Sequence, residues 1–152
     1  MLVDIVDRAT RSRFMAGIRS RNTRPELRVR RALHERGFRF RLHRKDVPGS
    51  PDLVFPKYRA AVFVHGCYWH GHECSLFRLP ATNVEFWTSK IAKNRERDIT
   101  VAAELLKQRW RRLVIWECAF RGRGRIGEAL AIDTAAEFIL GSGSAGEVRG
   151  VL

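Results

Sequence analysis

Residues 65–74 of this 152-residue chain, HGCYWHGHEC, concentrate side chains that transfer protons or bind metal ions. Imidazole titrates near neutral pH, so His65 or His70 could deprotonate an attacking water while the other stabilises charge or protonates a leaving oxygen. Either histidine could instead be a metal ligand. A lone histidine is more often structural, but three histidines and two cysteines within ten residues indicate a functional site.

His72 and Cys74 offer two metal donors from one tight loop, and a tetrahedral Zn²⁺ site needs two more. Cys118, just after the last predicted strand, and Asp98, in a polar stretch of the long helix, are the donors that we expect to complete it. Cys67 could replace one of these ligands, and Cys118 could simply be buried. A zinc ion held in this way would pin the long His/Cys loop to the core.

Asp52 follows Pro51 at the start of a predicted strand, and the next strand ends at Val64 and His65. A carboxylate beside a backbone carbonyl is a suitable cradle for Mg²⁺, which keeps several water molecules and completes its shell with phosphate oxygens. Such a site could activate water toward a phosphodiester. The alternative, which the Pro-Asp dipeptide alone favours, is that Asp52 only begins the strand after a turn.

Three large rings lie in or near the same loop: Tyr68, Trp69 and Trp87. Rings of this kind can enter between base pairs, where unstacking costs least at a mismatch. Core packing is the ordinary alternative for tryptophan. Tyr68 and Trp69 are harder to bury together, so a functional role is favoured for that pair, and both interpretations stay open for Trp87.

The net charge of +13 is concentrated near the N-terminus. Between Arg8 and Lys45 there are 14 basic residues against two acidic ones, Glu26 and Glu35, and the rest of the chain is balanced to within one charge. Arginine-dominated surfaces suit polyanions because the guanidinium group binds phosphate in bidentate geometry. A GC-rich coding bias would add arginines but would not confine them to one third of the chain. Nucleic acid is therefore the expected partner.

The hydrophobic and turn patterns predict one domain over residues 23–140, with a basic arm over residues 1–22 and a Gly/Ser-rich flexible tail over residues 141–152. The element order is αβββαβα around a four-stranded mixed sheet, with three antiparallel strands and a fourth joined by a parallel crossover. Thr23 should cap the first helix, with Glu26 at the capping-box position. The predicted elements are helix 23–37, strands 38–42, 52–55 and 59–64, helix 84–108 (one bent helix or two), strand 112–116 and helix 127–140.

No apolar run is long enough to span a bilayer, and the N-terminus lacks the pattern of a secretory signal. Three cysteines are an odd number and fit metal ligation or burial better than a disulfide framework. We therefore expect a cytoplasmic protein with no membrane partner.

Several short motifs resemble those of the very-short-patch repair (Vsr) mismatch endonucleases, in order and with matching spacing from about residue 7 to residue 123. These motifs are DRATRS at 7–12 with Met15, Pro51-Asp52, VHGCYWH at 64–70, His72-x-Cys74, PAT at 80–82, Phe86-Trp87, Lys90-Ile91-x-Lys93-Asn94, Glu96-Arg97-Asp98 and WECA at 116–119.

The resemblance implies an α/β fold with a restriction-endonuclease-like αβββαβ core and Mg²⁺-dependent hydrolysis. Asp52 resembles the Mg²⁺ carboxylate, helped by the backbone carbonyl of Val64. His70 resembles the water-activating histidine and His65 the histidine on the phosphate side. Glu26 is similar to a helix-borne active-site carboxylate, which competes with its interpretation as a helix cap.

The resemblance also implies a structural Zn²⁺ and contacts around a mismatch. The residues that match the zinc ligands are His72, Cys74, Asp98 and Cys118. Those that resemble the aromatic wedge and the other DNA contacts are Tyr68, Trp69, Trp87, Met15, Lys90 and Asn94. Val64 stands where the best-known members carry Thr, which preserves a carbonyl ligand but no hydroxyl, and Tyr68 replaces Phe.

The function implied is that of a monomeric endonuclease that nicks double-stranded DNA 5′ of the thymine in a T·G mismatch. Such mismatches arise by deamination of 5-methylcytosine, so a functional association with a cytosine-5 DNA methyltransferase is expected. Two alternatives are a related nuclease with another lesion preference and a zinc-stabilised DNA-binding protein whose nuclease centre is inactive.

Overall fold

The computed structural model describes residues 21–151, so the predicted arm over residues 1–22, including Met15, lies outside the described residues except for its last two. Within this range the helices are α1 (Arg24–Glu35), α2 (Val84–Lys107) and α3 (Glu128–Leu140). The strands are β1 (Arg41–Leu42), β2 (Leu53–Phe55), β3 (Ala60–His65), β4 (Arg111–Trp116) and β5 (Ala145–Val148).

The five strands of residues 21–151 form one mixed sheet in the order β1-β2-β3-β4-β5. The first three are antiparallel neighbours, and β4 runs parallel to β3 after the α2 crossover, as the sequence predicts. Ala60 lies opposite Arg111 and His65 opposite Trp116, so β3 and β4 pair along their full length. The two strands therefore deliver the chain that follows them to the same edge of the sheet.

The sheet separates two apolar cores because alternate strand residues point to opposite faces. Leu53 and Val62 belong to the core that contains α1 and α3. Val54 and Phe63 belong to the core on the other face, to which α2 contributes Leu105. The result is a three-layer α/β/α arrangement, consistent with the restriction-endonuclease-like fold expected from the sequence.

Helix α1 begins as its sequence predicts. The Thr23 hydroxyl accepts a hydrogen bond from the Glu26 N–H at 3.4 Å, and Pro25 occupies the first turn, where a missing N–H costs little. The Glu26 carboxylate also accepts a hydrogen bond from the N–H of Asn22 at 2.9 Å. In a standard capping box the donor would be the N–H of the N-cap residue, Thr23, one position later. Glu26 therefore does have the structural role that its position predicts.

Helix α2 is a single helix of 24 residues, which settles the choice between one helix and two. Trp87, Ile91 and Leu105 are its buried residues, whereas Ile99 and Leu106 are 71% and 67% exposed. Only one stripe of so long a helix can face the sheet. Of the part of the chain that the structure describes, no helix has the length and apolar character needed to cross a membrane.

The C-terminal tail differs from its prediction. Residues 141–152 were expected to be flexible, but Ala145–Val148 forms a fifth strand parallel to β4, so the sheet is not four-stranded. The small residues that suggest flexibility are required for packing here. A Cβ atom on Gly146 would lie 2.8 Å from the ring of Phe138 on α3, so glycine lets the strand approach the helix closely.

Replacing Val148 with Ala should lower the free energy of unfolding by about 2 kcal/mol, because two methyl groups leave a buried site and a cavity remains. The matched control is Val151→Ala, since Val151 is 68% exposed and its truncation should change stability by less than about 0.5 kcal/mol. Urea denaturation of both variants measures the difference. Equal stabilities would mean that β5 is not part of the folded core.

Candidate active site and metal centre

A cavity of about 780 Å³ opens where β2 begins and where β3 and β4 end. The start of α1 borders it on one side and α2 on another. Predicted functional residues that line it are Asp52, Val64, His65, Tyr68, Trp69, His70, Lys90, Asn94 and Asp98. The fold thus gathers residues from four elements and the His/Cys loop around one opening.

Asp52 immediately precedes β2, and its side chain crosses to β3. Its Oδ2 accepts a hydrogen bond from the Val64 N–H at 2.7 Å. Burial raises the pKa of the Asp52 carboxyl to about 6, with that hydrogen bond lowering it and the neighbouring Glu26 charge raising it. A carboxyl held in this way releases its proton readily when a cation binds beside it.

Glu26 lies next to Asp52, although its side chain is 98% buried, and His43 connects the two carboxyls. The Nε2 atom of His43 is 2.7 Å from Glu26 Oε1 and 3.8 Å from Asp52 Oδ1. Arg30 also bonds to Glu26. Glu26 therefore serves both the helix cap and the carboxylate pair, so its two competing interpretations are compatible.

His65 and His70 stack face to face, with ring centroids 3.7 Å apart and an interplanar angle of 3°. Burial lowers the pKa of His65 to about 3, and the adjacent His70 lowers it further. His65 is therefore neutral at physiological pH and does not donate a proton from a charged ring. Its buried Nδ1 atom has no hydrogen-bond partner within residues 21–151.

His70 is oriented by Asp98 on α2, whose Oδ2 lies 2.6 Å from the histidine Nδ1. The carboxylate accepts, so Nδ1 carries the hydrogen and Nε2 keeps a lone pair. A carboxylate that fixes the tautomer of an imidazole is the usual arrangement for a histidine that takes a proton from water.

The donor atoms of Glu26, His43 and Asp52 all lie within 4.8 Å of one another. Two of the three are carboxylates, the oxygen ligands that Mg²⁺ prefers, so the donor set fits the hard cation implied by the sequence. Val64 lines the cavity beside Asp52, and its N–H is occupied by that carboxylate. A cation at this position would supply charge to polarise a phosphate.

A second cluster brings together Cys67, His72, Cys74 and Cys118, with donor atoms within 4.8 Å of one another. The 3.6 Å between Cys118 Sγ and His72 Nδ1 equals the separation of about 3.6 Å for a sulfur and a nitrogen ligand of one tetrahedral zinc ion. All three cysteines are free thiols. The donor set therefore fits a soft divalent ion.

The sequence assigned Asp98 to this cluster, but the structure places Asp98 in a different group. Asp98 belongs to the group formed with His65 and His70, and Cys67 takes the fourth place in the Cys/His cluster. The reason is that the turn after β3 folds back on itself: the His72 N–H donates to the Cys67 carbonyl at 3.0 Å. This turn places Cys67 beside the other thiols and sends the His70 side chain toward α2.

The residues around the Cys/His cluster fix its members. The Trp116 ring stacks on His72 with centroids 3.9 Å apart and an interplanar angle of 12°. The Gly150 N–H donates to Cys118 Sγ at 3.3 Å. Burial raises the pKa of Cys67 and of Cys118, so a bound cation is needed to hold them as thiolates.

The aromatic residues form one group with different exposures. Tyr68 and Trp69 line the cavity, edge to face with centroids 5.2 Å apart. Trp87, which the sequence left open, is 9% exposed and packs beneath them, 5.7 Å from Tyr68 and 5.8 Å from Trp69. Trp87 therefore supports the half-buried pair Tyr68 and Trp69 from below. Lys90 lies 5.8 Å from the Trp69 ring centroid, and Asn94 donates to the Trp69 carbonyl at 2.8 Å.

Sequence reasoning missed His43 and the arginines of the cavity. The β1–β2 ladder pairs Arg41 with Val54 and Leu42 with Leu53, so the next step of the register sets His43 opposite Asp52. The hairpin turn at Val47–Pro51 could have indicated this pairing. Arg97 lies in the Glu96-Arg97-Asp98 motif but had no role assigned to it, and no comparable signal marked the lining residues Arg112 and Arg121.

A three-layer α/β fold with a carboxylate, an oriented histidine and cationic side chains around one open cavity defines a metal-dependent nuclease type of site. Comparison with known proteins agrees. Residues 3–76 match the family described as DNA mismatch endonuclease Vsr. The DNA mismatch endonuclease Vsr of Escherichia coli K12 is 42% identical over 97% of this chain and 94% of its own length.

Two further relatives are nicking enzymes. Type II nicking enzyme V.XorIIP of Xanthomonas oryzae pv. oryzae is 46% identical over 82% of this chain and 92% of its own length. Type II nicking enzyme V.NmeAIP of Neisseria meningitidis is 42% identical over 85% of the chain and 92% of its own length. The chain belongs to the Vsr DNA mismatch endonuclease family, and it is a DNA endonuclease.

Asp52→Asn should stabilise the metal-free protein at pH 8 by at most about 3 kcal/mol, with the gain shrinking toward pH 4. The folded pKa of about 6 lies above the ordinary value of 3.8, so the folded state binds a proton that the unfolded state lacks between these pH values. Native stability at Asp52 is therefore lost as pH rises through about 6. Thermal unfolding of both proteins from pH 4 to pH 8 measures the effect.

The control is Asp46→Asn. Asp46 is exposed, and its hydrogen bond with Arg44 lowers the pKa of Asp46, so that substitution should give no gain at pH 8. A difference between Asp52→Asn and the native protein that does not change with pH would contradict the buried-carboxyl argument.

Proposed function

We propose that this endonuclease nicks one DNA strand 5′ of the thymine in a T·G mismatch, with Mg²⁺ at Asp52. The observation that carries the proposal is that the half-buried ring pair Tyr68–Trp69 lines the same cavity as Asp52 and His70. Ring insertion at a mismatch and attack on the adjacent phosphodiester would therefore occur within one bound complex. The names of the relatives, a mismatch endonuclease and nicking enzymes, are consistent with this activity.

In the proposed reaction, Asp52 and the Val64 carbonyl would hold the ion, which would supply positive charge beside the scissile phosphate. His70 accepts a proton at Nε2 from the attacking water, and the water oxygen forms a bond to phosphorus. The bond between phosphorus and the leaving sugar oxygen then breaks, and that oxygen takes a proton from solvent water. Asp98 keeps the His70 ring in the required tautomer, 2.6 Å away. His65, neutral and stacked on His70, limits the rotation of that ring.

Glu26 and His43 have a positioning role in this scheme. Two adjacent carboxyls repel each other when both are ionised, which is why Glu26 contributes to the raised pKa of Asp52. His43, between them, supplies a donor that holds Glu26 in place at 2.7 Å. The pair then presents concentrated negative charge to a divalent ion.

We further propose that the Cys/His cluster binds one structural Zn²⁺. The three thiols and one imidazole, with a sulfur–nitrogen separation suited to a tetrahedral shell, support this choice of metal. The ion would connect the loop after β3 to the 3₁₀ turn at Glu117–Ala119 after β4. As for the biological setting, the proposed partner is T·G-mismatched DNA, with the protein acting as a monomer beside a cytosine-5 methyltransferase.

The mismatch activity is tested with duplex oligonucleotides that differ only in a central T·G or C·G pair, labelled separately on each strand, in the presence of Mg²⁺. The native protein should cut only the thymine-containing strand of the mismatch. His70→Ala should lower kcat by at least about 100-fold, because the water loses its proton acceptor. His34→Ala, on the exposed outer face of α1, is the control and should cut at the native rate.

Equal cleavage of both duplexes would leave a nuclease with a different specificity. Absence of cleavage in several sequence contexts would favour a DNA-binding protein with an inactive centre. Full activity in His70→Ala would assign the proton acceptor to another group.

The metal assignment is tested by comparing Cys67→Ser with Asp98→Asn. Cys67→Ser should lose most of the zinc, from about one ion per chain, because a thiolate ligand is removed. Asp98→Asn should keep its zinc and lose nicking activity, since Asp98 contacts His70 and not the thiols. Metal content by mass spectrometry and nicking rate are both measured. Zinc loss in Asp98→Asn with zinc retention in Cys67→Ser would restore the ligand set first inferred from the sequence.

A further inference from the structure

A second cationic surface lies at the edge of the cavity, far in sequence from the arginine-rich N-terminal third. It is the loop Arg121–Arg125, with the sequence RGRGR, which follows β4 and its 3₁₀ turn. Arg121, Arg123 and Arg125 are all exposed, and Arg121 lines the cavity. Three guanidinium groups within five residues are thus displayed beside the catalytic opening.

The backbone of this loop is held on two sides. Gly122 has a φ of +88°, and a Cβ atom there would lie 2.9 Å from Leu76 of the His/Cys loop. A Cβ atom on Gly124 would lie 1.9 Å from the carbonyl oxygen of Val151, whose N–H donates to the Gly124 carbonyl at 2.8 Å. Glycine is required at both positions because backbone and side chains of neighbouring segments pass so closely. The loop is therefore a fixed platform, and ordering it on binding costs little conformational entropy.

The local charges leave these arginines available. Glu117 pairs with Arg121 at 3.3 Å, but the Arg121 side chain remains 68% exposed. Arg125 donates one hydrogen bond to the Gly122 carbonyl at 3.0 Å, which leaves its other guanidinium donors free for a ligand. Arg123 forms no salt bridge with any residue of the range 21–151. The surface thus keeps a net positive charge and unused donors.

The cavity fixes where a ligand on this surface would run. Thr23 and Pro25, at the start of α1, line one part of the cavity, and Arg121 lines another. The reacting groups Asp52 and His70 line the same cavity. A polyanion that crosses the opening therefore meets the start of α1 and the RGRGR loop as it passes Asp52 and His70.

We propose that the RGRGR loop binds the phosphodiester backbone of duplex DNA beside the scissile phosphate. The proposal rests on duplex DNA being the substrate, and it requires no particular mismatch. Exposed arginines on a rigid loop suit phosphate oxygens because each guanidinium can form two parallel hydrogen bonds. Backbone contacts of this kind set the position of the duplex and carry no base specificity.

The test is the salt dependence of DNA binding by the full-length, zinc-loaded protein without Mg²⁺. Fluorescence anisotropy with a short labelled duplex gives Kd between about 50 and 200 mM KCl. In Arg121→Gln/Arg123→Gln, the slope of log Kobs against log[salt] should fall in magnitude by roughly 2, since each lost phosphate contact contributes about 0.9. Kd should weaken roughly tenfold, equally for T·G and C·G duplexes.

The matched control removes two positive charges from the other end of β4. Lys107 and Arg109 are exposed and precede that strand, about 20 Å from the loop along the sheet. Lys107→Gln/Arg109→Gln should keep the native slope. A slope change of equal size in both double variants would overturn the proposal, since it would reflect overall charge and not a local contact.

A charge-preserving variant separates phosphate binding from damage to the fold. Arg121→Lys/Arg123→Lys should keep the native slope, because an ammonium group also neutralises a phosphate. If the lysine variant shows the reduced slope of the glutamine variant, or if the glutamine variant binds as the native protein does, the proposal is wrong. If the protein does not distinguish T·G from C·G duplexes, the salt slopes should be unchanged. That result would count against the proposed mismatch specificity and not against DNA binding by the loop.

Discussion

The parallel pairing of β3 with β4 is the constraint on which the site depends. Six consecutive residues of each strand are in register, so both strands end together, at His65 and Trp116. The chain that follows β3 carries the imidazoles and two of the thiols, and the chain that follows β4 carries the third thiol and the arginine loop. A shift by one residue would turn every side chain of the strand to the other face. The two apolar cores, each of which accepts only one face, exclude such a shift.

Burial of ionisable groups gives the site its chemical character. Burial and the nearby charge of Glu26 both disfavour the ionised form of Asp52, and the pKa of Asp52 is raised for this reason. Protons and divalent cations compete for such a carboxylate, so binding of the proposed cation at Asp52 would depend on pH near the upper end of the titration of Asp52. His65 is controlled in the opposite sense, since burial lowers the pKa of its ring and keeps it neutral beside His70. Neither group would behave in this way on an open surface.

Much of the fold could be predicted from the sequence because local signals agree with tertiary structure there. Thr23, Pro25 and Glu26 mark the start of α1, and the apolar run that ends at Val64 marks a central strand. The tail could not be predicted, because Gly146 looks like a flexible residue and only the neighbouring Phe138 ring explains it. For strand β5, the partner that makes it a strand lies more than 30 residues earlier in the chain.

The candidate site could be predicted only in part, because local sequence signals do not fix contacts between distant segments. Residue types and spacing identify Asp52 and His70 as members of one cavity. Residue types and spacing do not decide whether Asp98 or Cys67 joins the group of His72, Cys74 and Cys118. That choice depends on how the turn after His65 folds back. His43 was missed because its significance comes from strand register, which places it opposite Asp52.

The Trp116 ring contacts both the Cys/His cluster and the histidines that line the cavity. One face of the indole covers His72, and the ring also lies edge-on to His65, 5.2 Å away, so a single ring separates the thiol cluster from the stacked pair His65 and His70. If the cluster holds the proposed zinc ion, oxidation of a cysteine to a sulfenic acid would remove a ligand and release the histidine against which this ring packs. Cys74, the most accessible of the three cysteines, would then connect oxidation at the surface to the order of the rings beside the cavity.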